Sequence, residues 1–376
     1  MSYLILSVKD KLLNQSINVA YHKVLIMTHL WIRAEERPNE KRVGVSPQGV
    51  RSLLKAGFEV TIEQDPTRVI GIDAYSDVQI AKTGSWKTAP SDAIIIGLKE
   101  LADEAMPLHH RHVMFGHAYK DQPEGKKLLA RFKAGRGTLY DLEYLTDDTG
   151  RRVAAFGYWA GYAGAAVAIK SWAAAQQGNI CGPLQNFASA QLLIDNVTND
   201  LRKQKPSVII IGAKGRVGSG AKDFCHALNA RVTGWDIDET AQGGPFPEIL
   251  EHDIFLNCIL ANQKTPIFVS NTVKTTKRKL MVIGDIACDL GSSYSPIKVY
   301  DQVTTWQNPT TRVWKKPILD VTAIDNLPSL LPRESSEDFA AQLLPSLMSL
   351  HRINTGVWAK AHEIFNKHIG ILKLKN

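Results

Sequence analysis

One segment constrains the fold of this chain more than any other. Val208 to Ile211 is a run of apolar β-branched residues that leads into the glycine-rich turn 212–220. A helical stretch, Gly218 to Leu228, follows the turn, and Arg231 to Trp235 has the composition of a second strand, ending at Asp236. This order predicts a β-α-β unit, in which two parallel strands are joined by a crossing helix.

The turn has the chemistry that a pyrophosphate requires. Gly212, Gly215 and Gly218 keep side-chain atoms away from the backbone N–H groups at the start of the helix. In register with G-x-G-x-x-G, Ala213 replaces the first glycine, so the motif is a variant. Asp236, 18 residues beyond Gly218, can accept hydrogen bonds from a ribose 2′-hydroxyl and would repel a 2′-phosphate. We therefore predict a dinucleotide site that favours NAD over NADP; the alternative is a glycine-rich turn without a ligand.

A second α/β unit is predicted before residue 150. A helix should run from Ser46-Pro47 to Lys55, because Ser at the cap, Pro in the first turn and Gly57 beyond the end are typical helix boundaries. Four strands are predicted around this helix, and strands that alternate with helices favour a parallel sheet. These strands are His29 to Ile32, Phe58 to Glu63, Ala93 to Leu98 and Val113 to Phe115, the last followed by His117.

The rest of the chain completes two domains, as its 376 residues suggest. Gly157 to Ala175 is predicted as a long buried helix, followed by an irregular, surface-exposed segment from Gln176 to Gln204. Strands are predicted at Ile254 to Cys258 and Leu280 to Ile283. The helix-like C-terminal portion, Ser335 to Asn366, is expected to fold back on the first domain.

Composition excludes several classes of function. The formal net charge is +8, but basic residues are scattered among acidic ones, so we do not predict nucleic-acid binding. Four separated cysteines show no metal-ligand spacing, so no metal site is predicted. The apolar run from Val153 to Ile169 is short of the ~20 residues that span a bilayer, so no membrane segment is expected.

Polar residues follow two of the predicted strands of the first domain. Lys99-Glu100 follows Ala93 to Leu98, and His117 stands at the same place after the next strand. Residues just past the carboxyl ends of parallel strands line the ligand crevice of an open sheet. Position alone favours the alternative that Lys99 is a surface lysine and His117 a hydrogen-bonded loop histidine. If they share a cleft, Glu100 and Glu143 would tune their pKa values.

Long stretches of the chain resemble one family, the NAD-dependent, lysine-forming saccharopine dehydrogenases. The resemblance runs from about Met27 to Lys367. It rests on the glycine-rich turn and on these segments: Leu30 to Glu35, Gly84 to Pro90, Ile94 to Glu100, His117 to Gln122, Gly137 to Glu143, Gly150 to Gly157, Gly243 to Phe246 and Leu327 to Glu334.

The resemblance implies an α/β fold of two Rossmann-like domains with mostly parallel sheets and an active site in the cleft between them. The predicted boundaries are an N-terminal extension at 1–26, a substrate-side domain of 27–155 plus 332–376, and an NAD-binding domain of 156–331. The implied reaction converts saccharopine, NAD and water to L-lysine, 2-oxoglutarate and NADH. Lys99 would accept the proton of the secondary amine, and His117 would serve as acid–base in hydrating and collapsing the imine.

The resemblance also assigns binding residues. The predicted substrate contacts are Arg42, Lys99, Lys120, Gln122, Arg152, Phe156 and Asp289. The predicted cofactor contacts are Arg151, Gly212, Gly215, Arg216, Gly218, Asp236, Thr240, Ile286, Asp325 and Leu327. Arg33 and Arg37 are further guanidinium groups suited to binding carboxylates. Saccharopine carries three carboxylates, so a cleft rich in Arg and Lys is a suitable host.

Some positions depart from the family pattern. Val217 stands where a relative has a cysteine that can pair with the one matching Cys258, so no such pair is expected here. Leu260 replaces an aromatic residue on the cofactor side, and Ala287-Cys288 replaces Ser-Ala near the substrate. The last residues, Leu374 to Asn376, do not form the peroxisomal signal of some relatives, so we expect a cytoplasmic location. We also expect the protein to be a monomer.

Two alternatives remain open from the sequence. The chain could be an alanine-dehydrogenase-like or lysine–ketoglutarate-reductase-like enzyme, because these share the architecture and a Lys/His pair. It could also be a catalytically silent NAD-binding protein. The presence of Lys99, His117, Glu100 and Glu143 together argues against the silent protein.

Overall fold

The computed structural model describes residues 27–37, 40–119, 123–288 and 293–372. Two six-stranded sheets organise these residues. The predicted N-terminal extension, residues 1–26, lies outside them. No helix in the described ranges combines the length and apolar character needed to cross a membrane.

The first sheet is parallel throughout, as predicted. Its strand order is β3-β2-β1-β4-β5-β6, so the order reverses between β1 and β4 and opens a crevice at their carboxyl ends. The short edge strand β3 and the strand β6 were not predicted. The strands are β1 (His29–Ile32), β2 (Glu59–Glu63), β3 (Gln79–Ala81), β4 (Ile94–Ile96), β5 (Arg111–Met114) and β6 (Thr138–Asp141).

The second sheet has the order β11-β12-β10-β9-β7-β8 and includes the predicted β-α-β unit. Strand β11 pairs antiparallel with β12 at one edge, and the other pairings are parallel. The sequence did not predict this antiparallel edge. The strands are β7 (Ser207–Ile211), β8 (Arg231–Trp235), β9 (Ile254–Asn257), β10 (Val282–Asp285), β11 (Thr311–Lys315) and β12 (Ile318–Thr322).

Nine α-helices lie in the described part of the chain. The predicted first helix is confirmed: Ser46 Oγ accepts a hydrogen bond from Gly49 N at 3.1 Å, and Pro47 opens the helix. The helices are α1 (Pro47–Lys55), α2 (Pro123–Gly135), α3 (Gly157–Gln176), α4 (Ala190–Leu201), α5 (Arg216–Ala227), α6 (Ile237–Thr240), α7 (Pro247–Glu251), α8 (Pro332–Leu347) and α9 (Gly356–Ile371).

The prediction of an irregular, surface-exposed segment from Gln176 to Gln204 holds up to Ser189 and was wrong beyond it. Helix α4 occupies its second half, and Ser189 caps it by accepting from Leu192 N. Leu193, Val197 and Leu201 are buried, spaced four residues apart on one face. They pack into the same core as the buried helix α3, and this burial stabilises α4.

The chain returns to the first sheet at its C-terminus. Phe339 and Leu343 of α8 and Trp358 of α9 belong to the core that also contains Leu30 and Ile94 of the first sheet. Residues of β7 and β9 build separate cores on the two faces of the second sheet. The carboxyl ends of both sheets border the cleft between these two bodies, where Arg42 donates to Asn326 across it at 2.7 Å.

Candidate active site

Lys99, Glu100 and His117 line a cavity of about 610 Å³ at the carboxyl ends of β4 and β5. Arg37 from the first body and Asp325 from the second also line it. The two strand ends therefore bring together the lysine and the histidine that the sequence placed at equivalent positions. Asp325, which follows β12, is the residue that the second body contributes to this lining.

Lys99 lies in an environment that favours its neutral form. Burial lowers the pKa of its amine below 10.5, and the positive charges of Arg42 and Arg37 lower it further. The negative charges of Glu40 and Glu100 act in the opposite direction, but the pKa remains lowered. A lysine with a lowered pKa can accept a proton closer to neutral pH.

His117 forms an ion-pair contact with Glu100. The distance from His117 Nδ1 to Glu100 Oε2 is 3.5 Å, longer than a close hydrogen bond. Burial raises the pKa of Glu100, but His117, the backbone, Arg37 and Lys99 outweigh this and hold it at about 2. His117 has a left-handed backbone (φ 48°), which non-glycine residues adopt rarely and often at functional sites.

Arg42, a predicted substrate contact, is paired with a carboxylate that the sequence analysis missed. Its Nε and Nη2 atoms donate to the two oxygens of Glu40 at 2.8 and 2.6 Å, and both residues are buried. Its guanidinium also lies 4.3 Å from the ring centroid of Phe156, another predicted contact. Glu40 stands only two residues from Arg42, so a local charge pairing could have indicated it. Asn326, 284 positions away, gave no such signal.

Arg33 has a different role from the one considered for it. Its side chain is fully buried and donates to the backbone oxygens of Ala34 and Lys99. Neither this guanidinium nor that of Arg42 lines the cavity that holds Lys99. Arg37 remains in the cleft, with Nη1 3.5 Å from Glu100 and Nη2 3.8 Å from Asp325.

The Glu143 side chain forms an ion pair with Arg152. Its Oε2 accepts from Arg152 at 2.8 Å, and no contact with Lys99 or His117 occurs among the described residues. Asp141, at the end of β6, is fully buried and accepts from Glu143 N at 2.9 Å. Burial raises the pKa of Asp141 to about 6, while the backbone and His117 lower it. The strand-end pattern that indicated Lys99 and His117 could also have indicated Asp141.

The glycine-rich turn has the tight geometry of a phosphate-binding loop. Gly212 has φ +90°, and a Cβ atom on Gly218 would stand 2.1 Å from Gly212 O, so both positions require glycine. Helix α5 begins directly after Gly215, with Arg216 as its first residue. Its first N–H groups can therefore bind a pyrophosphate.

Asp236 lies beside this turn and also caps α6. Its Oδ2 accepts from Lys214 N at 2.9 Å, and its Oδ1 accepts from Ile237 N at 3.0 Å. Asp236 and Thr240 line a second cavity of about 450 Å³, bordered by Ile237 and Leu260, which are 72% and 79% exposed. Exposed apolar side chains beside the carboxylate that was predicted to bind the ribose fit an adenosine moiety, so the residues present fit a dinucleotide.

The other predicted contacts differ in their surroundings. Ile286 and Leu327 are buried in the core around α3, whereas the Asp325 side chain is 85% exposed in the cleft. Arg151 is exposed, and Arg216 lines a small cavity with Asp338 and Gln342. Lys120, Gln122 and Asp289 lie outside the described residues.

The positions that depart from the family pattern are also visible. Val217 packs against the core around α3, and Cys258 is a free, buried thiol whose pKa is raised by burial. Cys288 has a left-handed backbone, and its N–H donates to Asp285 at 3.2 Å.

Comparison with known proteins agrees with this geometry. The family described as "Alanine dehydrogenase/PNT, N-terminal domain" matches residues 31–163. The saccharopine dehydrogenase (NAD+, L-lysine-forming) of Yarrowia lipolytica is 44% identical over 90% of this chain and 97% of that protein. The enzyme of the same name from Emericella nidulans is 42% identical over 91% of this chain and 98% of that protein. The chain belongs to the saccharopine dehydrogenase family.

A solved structure of L-alanine dehydrogenase has the same fold as this saccharopine dehydrogenase family member. It superposes with a TM-score of 0.66 and covers 92% of this chain and 100% of its own, at 18% identity. The two sheets and the cleft between them are therefore an architecture that both families share, and the predicted fold class is confirmed.

Proposed function

We propose that the protein catalyses the NAD-dependent oxidative cleavage of saccharopine to L-lysine and 2-oxoglutarate. The observation that carries this proposal is the single cavity in which Lys99, Glu100 and His117 face Asp325 across the cleft. The family relationship supports the choice of substrate, because the relatives with 40–44% identity carry this enzyme name.

The proposed mechanism uses Lys99 as the base. Gly212, Gly215, Gly218 and Asp236 would hold NAD, which would supply the acceptor for the hydride on the carbon beside the secondary amine. Lys99 takes the amine proton, which its lowered pKa permits. His117 then transfers protons as water adds to the imine and the carbinolamine collapses, and the Glu100 carboxylate lies 3.5 Å from its Nδ1.

Binding is assigned to the residues around these two. Gly212, Gly215, Gly218 and Asp236 hold the pyrophosphate and the ribose, while Arg42 and Phe156 contact the substrate. The same proposal covers the other predicted contacts, which are Lys120, Gln122, Arg152 and Asp289 for the substrate and Arg151, Arg216, Thr240, Ile286, Asp325 and Leu327 for the cofactor. The proposal also includes a tuning role for Glu143, a cytoplasmic monomer and the predicted domain boundaries.

A spectrophotometric assay tests the function. Purified protein is expected to reduce NAD with saccharopine, to do so far more slowly with NADP, and not to use alanine. Turnover with alanine alone, or with NADP alone, would contradict the proposal. A His117→Gln variant should turn over more slowly with a changed pH profile, and an unchanged profile would remove His117 from the proton chemistry.

A further inference from the structure

The backbone around Lys99 lies just beyond the end of the sheet's hydrogen bonding. Gly97 N donates to Val113 O at 2.9 Å, and Phe115 N donates to Leu98 O at 3.0 Å. These bonds extend the pairing of β4 with β5 as far as Leu98. Past this point the peptide groups of Lys99 need other partners, since buried backbone N–H and C=O groups are almost always paired.

Two side chains of the loop after β1 supply these partners. The Glu35 carboxylate accepts from Leu98 N at 2.7 Å and from Lys99 N at 2.9 Å. Arg33 donates through Nη2 to Lys99 O. The N–H and the C=O of the proposed base are therefore both held by one buried ion pair, with 3.6 Å between Arg33 Nη1 and Glu35 Oε2.

The fit of Arg33 depends on a glycine in the same strand end. A Cβ atom on Gly97 would lie 2.4–2.5 Å from the Arg33 guanidinium. The Arg33 and Glu35 side chains are 0% and 7% exposed, so neither is free to bind substrate. Glu35 and Arg33 do not line the cavity that holds Lys99.

We propose that Arg33 and Glu35 are positioning residues that fix the backbone of Lys99 and thereby aim its amine into the cleft. The inference rests on the proposed function, in which Lys99 is the base. Misplacing a reacting group by about 1 Å can lower a rate about 100-fold. A backbone held from both sides limits such displacement and keeps the amine in the desolvated position that lowers its pKa.

The first test is Glu35→Gln. The Glu35 carboxylate accepts from two backbone N–H groups, those of Leu98 and Lys99. A glutamine has one acceptor oxygen for these two donors, and its NH2 group would face one of the N–H groups. We expect saccharopine oxidation to fall about 100-fold. The acidic limb of the pH–rate profile should also move to higher pH, since burial is the largest cause of the lowered Lys99 pKa and a looser Lys99 becomes more hydrated. The dissociation constant for NAD should stay unchanged.

A double-mutant cycle separates positioning from general damage. In a Lys99→Met background, Glu35→Gln should cause no further loss of residual turnover, because the residue it positions is gone. Equal fold losses in the two backgrounds would overturn the proposal.

Asp320→Asn is the matched control. Asp320 of β12, in the second sheet, is also a fully buried carboxylate paired with an arginine: Arg312 donates to its two oxygens at 2.8 and 2.9 Å. The variant should lower the melting temperature without moving the acidic limb. If Asp320→Asn moves the limb as far as Glu35→Gln does, the positioning role is overturned.

Gly97→Ala keeps the proposal testable if Glu35→Gln does not fold. The added methyl group displaces the flexible end of Arg33 and breaks its bond to Lys99 O, so the same shift of the acidic limb is expected. Wild-type protein that does not oxidise saccharopine would overturn the proposed function. Active wild-type protein with an unmoved limb in Gly97→Ala would overturn the positioning role alone.

Discussion

Two aspartates at strand ends, one in each sheet, show how differently the two walls of the cleft are built. Asp236 follows β8, stays partly exposed and accepts two backbone N–H groups while capping α6. Asp141 ends β6, is fully buried, and has a pKa raised to about 6. The wall proposed to bind the cofactor, around the glycine-rich turn and Asp236, therefore consists mainly of backbone with one partly exposed carboxylate. The wall proposed to bind the substrate, around Lys99 and Asp141, keeps buried and half-buried charged groups close together.

The two walls should therefore be sensitive to different kinds of substitution. Where ligand binding depends on the backbone, as at the glycine-rich turn, an added Cβ atom should weaken binding more than the loss of a charge does. Where buried ionisable groups lie close together, stability and activity depend on their protonation. Changes of pH and substitutions by neutral residues should therefore have the largest effects there.

The largest effect should come from the substrate wall. Lys99→Met removes the proposed base and should lower turnover about 1,000-fold, within the range for general acid–base catalysis. The NAD dissociation constant should change little, because the glycine-rich turn lies on the opposite wall. Turnover would be followed by NADH absorbance and NAD binding by calorimetry; normal turnover would remove Lys99 from the mechanism.

Asp141→Asn should stabilise the protein at alkaline pH. The folded pKa of about 6 exceeds the ordinary 3.8, so the folded state binds the proton more tightly. Proton binding by Asp141 therefore stabilises the folded state fully below pH 3.8, and this stabilisation is lost as the pH rises through 6. At pH 8 the variant should gain up to about 3 kcal/mol in the free energy of unfolding. Urea unfolding at pH 5 and pH 8 measures this, and an equal gain at both values would contradict it.

Asp236→Asn is the matched change on the cofactor wall and should have a smaller effect. Asparagine is also a good N-cap, so the free energy of unfolding should stay nearly constant. Loss of the charged acceptor should weaken NAD binding about tenfold, which is about 1.4 kcal/mol, and narrow the preference over NADP. Titrations with both cofactors test this, and an unchanged preference would show that Asp236 does not select the ribose.

Arg152→Ala should have the smallest effect on stability. Its ion pair with Glu143 is largely exposed to solvent, and such pairs contribute about 0.2–1 kcal/mol. Thermal unfolding and saccharopine kinetics should be measured together. A raised KM without a change in stability would assign Arg152 to the substrate, and an unchanged KM would remove it from the substrate contacts.

Many of the helices and strands could be predicted from the sequence, because the residue patterns that indicate them are local. The β-α-β unit, the capped helix α1 and the buried helix α3 all follow from periodicity and cap residues. Helix α4 was missed although Leu193, Val197 and Leu201 mark its buried face, because Thr and Asn between them weaken the helical pattern. The edge strand β3 was missed because only three residues carry its signal.

The site was predictable only where it obeys a topological rule. Lys99 and His117 were found because residues that follow parallel strands meet at one sheet edge. The partners Glu40 and Asn326 were missed, since their roles depend on where Arg42 points after folding. Arg33 was misinterpreted for the same reason: its charge is visible in the sequence, but its burial is not.

The Arg37 side chain lies between Glu100 and Asp325 and so links the two walls of the cleft. Its contacts are ionic, 3.5 and 3.8 Å long, and open to water on the Asp325 side. Salt weakens solvent-exposed ion pairs, although only partly at distances well inside the Debye length of about 8 Å at physiological ionic strength. We therefore expect added salt to weaken, but not abolish, this link between the two walls of the cleft.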